Sequence, residues 1–153
     1  MGDVFEGRCH CGAVRFDVTL LGGLEKATRS NDPYALMGGN VMLTARRKDL
    51  KVYKGFDALK IYTYGDHDAH HYFCGVCGIH THQQLISHPE WYGVNAGALE
   101  GLSPFDFEVV PIIDGQRGKG IGGVKAVADQ VGSLMYKVEF RKRDQSDLPR
   151  YDD

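Results

Sequence analysis

Phe73-Cys74-Gly75-Val76-Cys77-Gly78 is the stretch whose reading decides the fold, and it needs Cys9-His10-Cys11-Gly12 to complete it. These two segments hold all 4 cysteines of the chain. Two thiolates two residues apart can occupy two corners of a tetrahedron. The turn between them aims backbone N–H groups at the sulfurs, and the glycine that follows tolerates positive φ. Cys9 and Cys11 supply the other corners, so the reading is one zinc ion on Cys9, Cys11, Cys74 and Cys77. A closed four-sulfur shell leaves no open position, which makes the ion structural. Two other readings stand beside it. A redox Cys-x-x-Cys should open a helix, but Gly78-Ile79-His80-Thr81-His82 reads as a turn followed by a strand. Disulfides require an oxidising compartment. No secretory signal precedes Cys9, so the expectation is a cytoplasmic protein with reduced thiols.

Working outward, the chain of 153 residues is one domain by size and long enough to bury a core. A net charge of -2 gives no electrostatic footprint for nucleic acid, and no stretch is apolar enough to span a membrane. The 20 glycines punctuate runs of β-branched and aromatic residues, a composition that favours short strands and tight turns. The fold class expected is therefore mainly β, with short antiparallel sheets stapled by the four cysteines.

Val4 to Glu6 and Ala13 to Leu20 read as a hairpin. Val14, Phe16 and Val18 fall on one face and Arg15, Asp17 and Thr19 on the other. Gly22-Gly23 ends it. Asn31-Asp32-Pro33 is a turn signal. Ala35 to Ala45 reads as an apolar strand with a bulge at Gly38-Gly39, and Arg46-Arg47-Lys48-Asp49 as a charged, solvated turn. Leu50 to Tyr53 and Leu59 to Tyr64 are two strands joined around Gly55. Trp91 to Leu99 is another, and Phe105 to Ile113 is a last core strand that Pro111 confines to an edge. Residues 1–113 make up the zinc-stapled domain. Residues 114–153 are a glycine-rich and charged extension that packs on that domain or trails from it. Within the extension, Gly118-Lys119-Gly120-Ile121-Gly122-Gly123 satisfies a dinucleotide fingerprint. It lacks the βαβ context, so a glycine loop is preferred, with a helix at Val124 to Met135 and a strand at Tyr136 to Phe140.

Histidines cluster at His67, His70, His71, His80, His82 and His88. His80 and His82 share a face if their segment is extended, and they converge there on a metal or an anion, or else line a polar face as solvated imidazoles. The second reading is preferred, because spacing alone defines no site. His70 and His71, just before the cysteine turn, are candidates to support its ligands. Asn95, in mid-strand, is either a polar group of a pocket or a structural hydrogen-bond hub, and the hub is preferred.

With these residues placed, the chain resembles the glutathione-dependent formaldehyde-activating enzyme family over roughly residues 6 to 113. The resemblance rests on Cys9-His10-Cys11-Gly12 and Phe73-Cys74-Gly75-Val76-Cys77-Gly78. It also rests on Gly12-Ala13-Val14-Arg15-Phe16, Gly78-Ile79-His80, Ser87-His88-Pro89 and Tyr92-Gly93-Val94-Asn95. It implies a mainly β fold, a structural zinc on the four cysteines, and carbon–sulfur lyase activity that joins formaldehyde to glutathione as S-(hydroxymethyl)glutathione. The family also carries a C-x-C-S-x-C cluster for a second, catalytic zinc. Aligned on Ala35-Leu36-Met37, its positions fall near Glu25, Ala27 and Ser30, and no cysteine stands there. Alanine has no donor atom and serine is a poor ligand. Glu25, Asn31 and Asp32 suit a hard cation instead. Two function classes follow. One is a protein that binds glutathione or another small thiol, another metabolite or a protein partner without turnover. The other is a lyase with a non-cysteine metal. The candidate pocket residues are Asn31, Asp32, His80, His82 and Asn95.

Overall fold

The computed structural model describes residues 2–30, 32–64, 69–85 and 88–113, together with the backbone of a strand at 133–137. β1 (Val4–Arg8) and β2 (Arg15–Leu20) form the expected hairpin, with Val4 opposite Thr19 and Arg8 opposite Arg15. Phe16 and Val18 on β2, with Val14 just before it, are fully buried, as their alternation demands. β2 then pairs with β4 (Met42–Lys54), a strand of 13 residues. The main sheet continues through β8 (Trp91–Asn95), β7 (His80–Gln84), β6 (His70–Cys74) and β5 (Leu59–Tyr62), antiparallel throughout. Its order is β1-β2-β4-β8-β7-β6-β5. One core cluster joins Phe16, Val18 and Leu20 of β2 to Leu43, Ala45 and Leu50 of β4 and Val94 of β8.

A second sheet of three strands places β9 (Val109–Ile113) between the two-residue β3 (Arg29–Ser30), which runs parallel to it, and β10 (Ser133–Lys137). Pro111 therefore lies in a central strand, not at an edge. β3 covers only Ile112 and Ile113, so among the described residues no strand lies opposite Pro111 on that side. Met135 sits in β10, so the helix expected up to that residue gives way at its end to strand pairing with β9. The glycine loop and the charged terminus, with Asn31 and His67, lie outside the described residues.

Three other expectations are corrected. Ala35 to Ala45 does not begin as a strand. α1 (Pro33–Gly38) is a helix, capped by the Asp32 side chain on Ala35 N–H, with proline at its first position. The supposed bulge is the helix stop: Gly39 has φ 65° and returns its N–H to Ala35 O. Arg46 to Asp49 is not a turn but a bulged part of β4. β2 pairs Leu20 with Ala45 and Val18 with Leu50, skipping the four charged residues, while Arg46 still pairs with Trp91. The strand from Trp91 stops at Asn95, whose Oδ1 accepts from Gly97 N–H and caps a short 3-10 turn at Ala96–Ala98.

Candidate functional site

The loop between β1 and β2 brings Cys9 and Cys11 to the turn after β6, where Cys74 and Cys77 sit. All four Sγ atoms lie within 4.8 Å of one another. The Cys9–Cys11 and Cys11–Cys74 separations are 3.6 and 3.8 Å. A tetrahedron with bonds of about 2.3 Å has edges of about 3.8 Å, so the set fits a zinc-sized ion in a four-sulfur shell. Backbone N–H groups support it: Val14 donates to Cys9 Sγ at 3.3 Å and Val76 to Cys74 Sγ at 3.4 Å. Cys9, Cys74 and Val14 pack as a small core of their own. Gly55 clamps this region from β4. Its φ is 76°, and a Cβ there would collide with the carbonyl of Ala13.

The thiols of this cluster divide their protons unequally. Burial works to raise Cys77, but N–H groups of Cys11 and Ile79 and the neighbouring thiols outweigh it and bring it down to about 6. At Cys11 the Ala13 N–H favours the thiolate, yet burial and the three adjoining sulfurs carry it up to about 11. Four sulfurs in contact cannot all ionise unaided, and a divalent cation is what lets them. Among the described residues no other group of His, Cys, Asp and Glu is placed to hold a metal ion.

The opposite face of β6 carries a different cluster. His71 is buried, and its ring centroid lies 4.1 Å from that of Tyr34 on α1. Tyr64 stacks on the same ring at 5.5 Å, and Tyr62 on Tyr34 at 5.5 Å. His80 joins at 6.0 Å from both Tyr34 and His71. Asp32 ties the cluster to the helix cap: its Oδ1 accepts from Tyr64 Oη at 2.8 Å and its Oδ2 from Ser30 Oγ at 2.7 Å. Half-burial works to raise the Asp32 carboxyl, but donation from Ala35 N–H, Ser30 and Tyr64 holds it below the usual carboxylate range. Among the described residues, the buried side-chain atoms Arg29 Nε, His71 Nε2 and His80 Nε2 have no hydrogen-bond partner.

His80 and His82 are not solvated, and they do not share a face. Phe73 pairs with His80 but Tyr72 with His82, so Thr81 is the extra residue of a bulge and reverses the alternation. His80 falls with His71, whereas His82 turns to the other side and stacks on Tyr72 at 4.4 Å, near Tyr92 and Phe16. Thr81 Oγ1 donates to Tyr72 O, so the 2.9 Å contact to His82 is Nδ1–H donating to Oγ1. Burial, then repulsion from His80, brings His82 down to about 3. Burial, then His71, brings His80 down to about 4. Asn95 donates to His80 O at 2.8 Å while capping its own turn, so both ends of its amide are engaged by backbone. His71 Nδ1 is paired with Gln83, 3.2 Å away. Of the sequence candidates, Asp32 and His80 meet in one cluster, while His82 turns away from it and Asn95 reaches only the His80 backbone. Tyr34, Tyr62, Tyr64 and His71 belong to the cluster, and sequence reading did not place them there. The helix-cap signal at Asp32-Pro33 was the clue available for Tyr34.

The positions aligned with the second cysteine cluster do not converge. Glu25 is exposed on a 3-10 turn, Ala27 lies in the core, and Ser30 is engaged by Asp32. Comparison with known proteins gives two findings. A family model described as glutathione-dependent formaldehyde-activating enzyme matches residues 4–110. A crystal structure of a Rhodobacter sphaeroides protein superposes with a TM-score of 0.68 at 45% sequence identity, covering 70% of this chain and 98% of that one.

Proposed function

Because this chain belongs to the glutathione-dependent formaldehyde-activating enzyme family, we propose that it is a zinc-stapled member in which the thiolate-bound catalytic ion is gone. In this reading it binds a small thiol or related metabolite in the cytoplasm and does not act as a carbon–sulfur lyase. The observation that carries the proposal is the fate of the cysteines. The sequence has 4, and all four are drawn into one cluster whose geometry suits a closed structural shell. None remains for a second thiolate site. Lyase chemistry of this kind needs a polarised carbonyl oxygen or an ionised thiol, and a metal with an open position supplies either one. Serine, alanine and an exposed glutamate supply neither. Zinc is the ion proposed because four thiolates at tetrahedral spacing select it. The extension beyond residue 113 belongs to the same domain in this reading, its β10 completing the sheet with β9.

A second reading keeps the enzyme active through a metal held by nitrogen and oxygen donors. It is favoured by the bare ring nitrogens of His71 and His80. One pair of measurements separates the two: metal content of the untagged protein, and glutathione-dependent disappearance of formaldehyde. One zinc per chain without turnover above the uncatalysed rate is the expected result. Two metals per chain with turnover would replace the first reading by the second.

A further inference from the structure

Buried polar atoms nearly always have partners, yet two on the α1 side of β6 and β7 have none among the described residues, His71 Nε2 and His80 Nε2. His71 is 3% exposed. The second nitrogen of each ring is engaged, and its partner fixes the tautomer. Gln83 Oε1 lies 3.2 Å from His71 Nδ1, and an amide oxygen only accepts. Nδ1 of His71 therefore carries the hydrogen, and Nε2 presents a lone pair. Asn40 Nδ2 lies 3.3 Å from His80 Nδ1, and an amide nitrogen only donates. The hydrogen of His80 is therefore on Nε2. One ring offers a bare acceptor, its neighbour a bare donor, and their centroids are 6.0 Å apart.

We propose that His71 and His80 together hold one hydroxyl or thiol group of a small ligand, which donates to His71 Nε2 and accepts from His80 Nε2. This deepens the proposed function and rests on its ligand-binding reading. A metal is the poorer occupant, because the His80 nitrogen that faces the site carries a hydrogen, and no third ligand stands near among the described residues. An anion is also poorer, since it would meet the lone pair of His71. Burial keeps both rings neutral, His71 below its ordinary value and His80 at about 4. The rest of the ligand would lie against Tyr34, whose ring is within 4.1 Å of His71 and 6.0 Å of His80. α1 carries Tyr34 over the His71 ring. That helix buries none of its residues and leaves Met37 92% exposed. Tyr34 stacking and the Asp32–Tyr64 hydrogen bond tie it to the sheet.

The test is nitrogen-15 NMR of the histidine rings in the zinc-loaded full chain. Nδ1–H at His71 and Nε2–H at His80 are the tautomers required, and any other pair overturns the proposal. Four probes follow: glutathione against S-methylglutathione for a thiol, and ethylene glycol against its dimethyl ether for a hydroxyl. At least one free probe should move both Nε2 resonances saturably, and its methylated counterpart should not. The probe that succeeds tells thiol from hydroxyl. Asn40→Asp turns the His80 ring hydrogen inward to the carboxylate and should weaken that probe about tenfold or more. Gln83→Leu removes the acceptor that holds the hydrogen on His71 Nδ1 and should weaken that probe about fivefold or more. Rings unmoved by every probe, equal response to the methylated probes, or a zinc titration that moves both rings would each overturn the proposal. Formaldehyde turnover with shifted rings would sink the inactive reading and leave this site standing. No turnover with unmoved rings would do the reverse.

Discussion

β6 has two faces with opposite logic. Cys74 points to one side, into a cluster whose chemistry is written in two short motifs and whose four sulfurs are placed so that they could hold one ion. His71 points to the other, into a cluster gathered from α1, β5, β6 and β7 and from the chain beside them. The first is closed, with each sulfur among three others and backbone N–H groups at its edge. The second is open, with two ring nitrogens left without partners among the described residues. A protein that spends stability on bare buried atoms on one side needs a secure staple on the other.

The largest expected effect comes from breaking the staple. Cys74→Ser removes a fully buried ligand, and zinc binding is coupled to folding at a scale comparable to the whole stability of a domain, about 5–15 kcal/mol. The variant should lose zinc and its cooperative thermal transition together. A zinc-free variant that still melts near the parent would show the cluster to be incidental to the fold. Gly55→Ala attacks the same side without touching a sulfur, by forcing a side chain against the Ala13 carbonyl at positive φ. A loss of roughly 3 kcal/mol is expected in denaturant unfolding of the zinc-loaded protein. An unchanged midpoint would mean that the hairpin loop moves freely against β4.

Acid sharpens the comparison by separating thiolates from imidazoles. The folded pKa of His82 lies at about 3, below the unfolded 6.5. Between these values the unfolded chain takes up a proton that the folded one refuses. The contribution of His82 is complete above pH 6.5 and is lost as pH falls through 6.5 towards 3. By pH 5 the loss is about 2 kcal/mol. His82→Gln should flatten the dependence of stability on pH between 6.5 and 5, with zinc content unaltered at each pH. A slope as steep as the parent's would assign acid sensitivity to His80, which burial likewise holds down at about 4, or to the cysteines. The smallest effect belongs to the open side. Tyr64→Phe deletes one hydrogen bond to Asp32 at the half-exposed rim and should cost about 1 kcal/mol in the same unfolding measurement.

The two clusters were unequally legible in the sequence, for a physical reason. Cysteine spacing is local, so Cys9-His10-Cys11 and Cys74-Gly75-Val76-Cys77 announced themselves, and the alternation of Val14, Phe16 and Val18 announced the hairpin that carries the first pair. The histidine cluster depends on long-range pairing and on one bulge. Thr81 is an inserted residue that sends His80 and His82 to opposite faces, and period-two reading assumes no insertion. Arg46 to Asp49 reads as a turn for a different reason: four charges in a row look like solvent even when they ride on a bulged strand. α1 was misread for another reason. Apolar Ala35, Leu36 and Met37 outweighed Asp32-Pro33 before them and Gly39 after, although cap chemistry decides a six-residue helix more than hydrophobicity does.

The sulfurs of Cys11 and Cys74 stand 63 residues apart in sequence. At about 5–20 residues added per second, roughly 3–13 seconds separate the synthesis of the two halves of the staple. For that interval the hairpin of a nascent chain carries Cys9 and Cys11 with half a coordination shell, open to oxidants and to stray metal. The shell closes only when the β6 turn has been made, so the yield of correctly assembled protein should track how reduced the site of synthesis is and, if the cluster holds the zinc proposed for it, how well supplied with that ion.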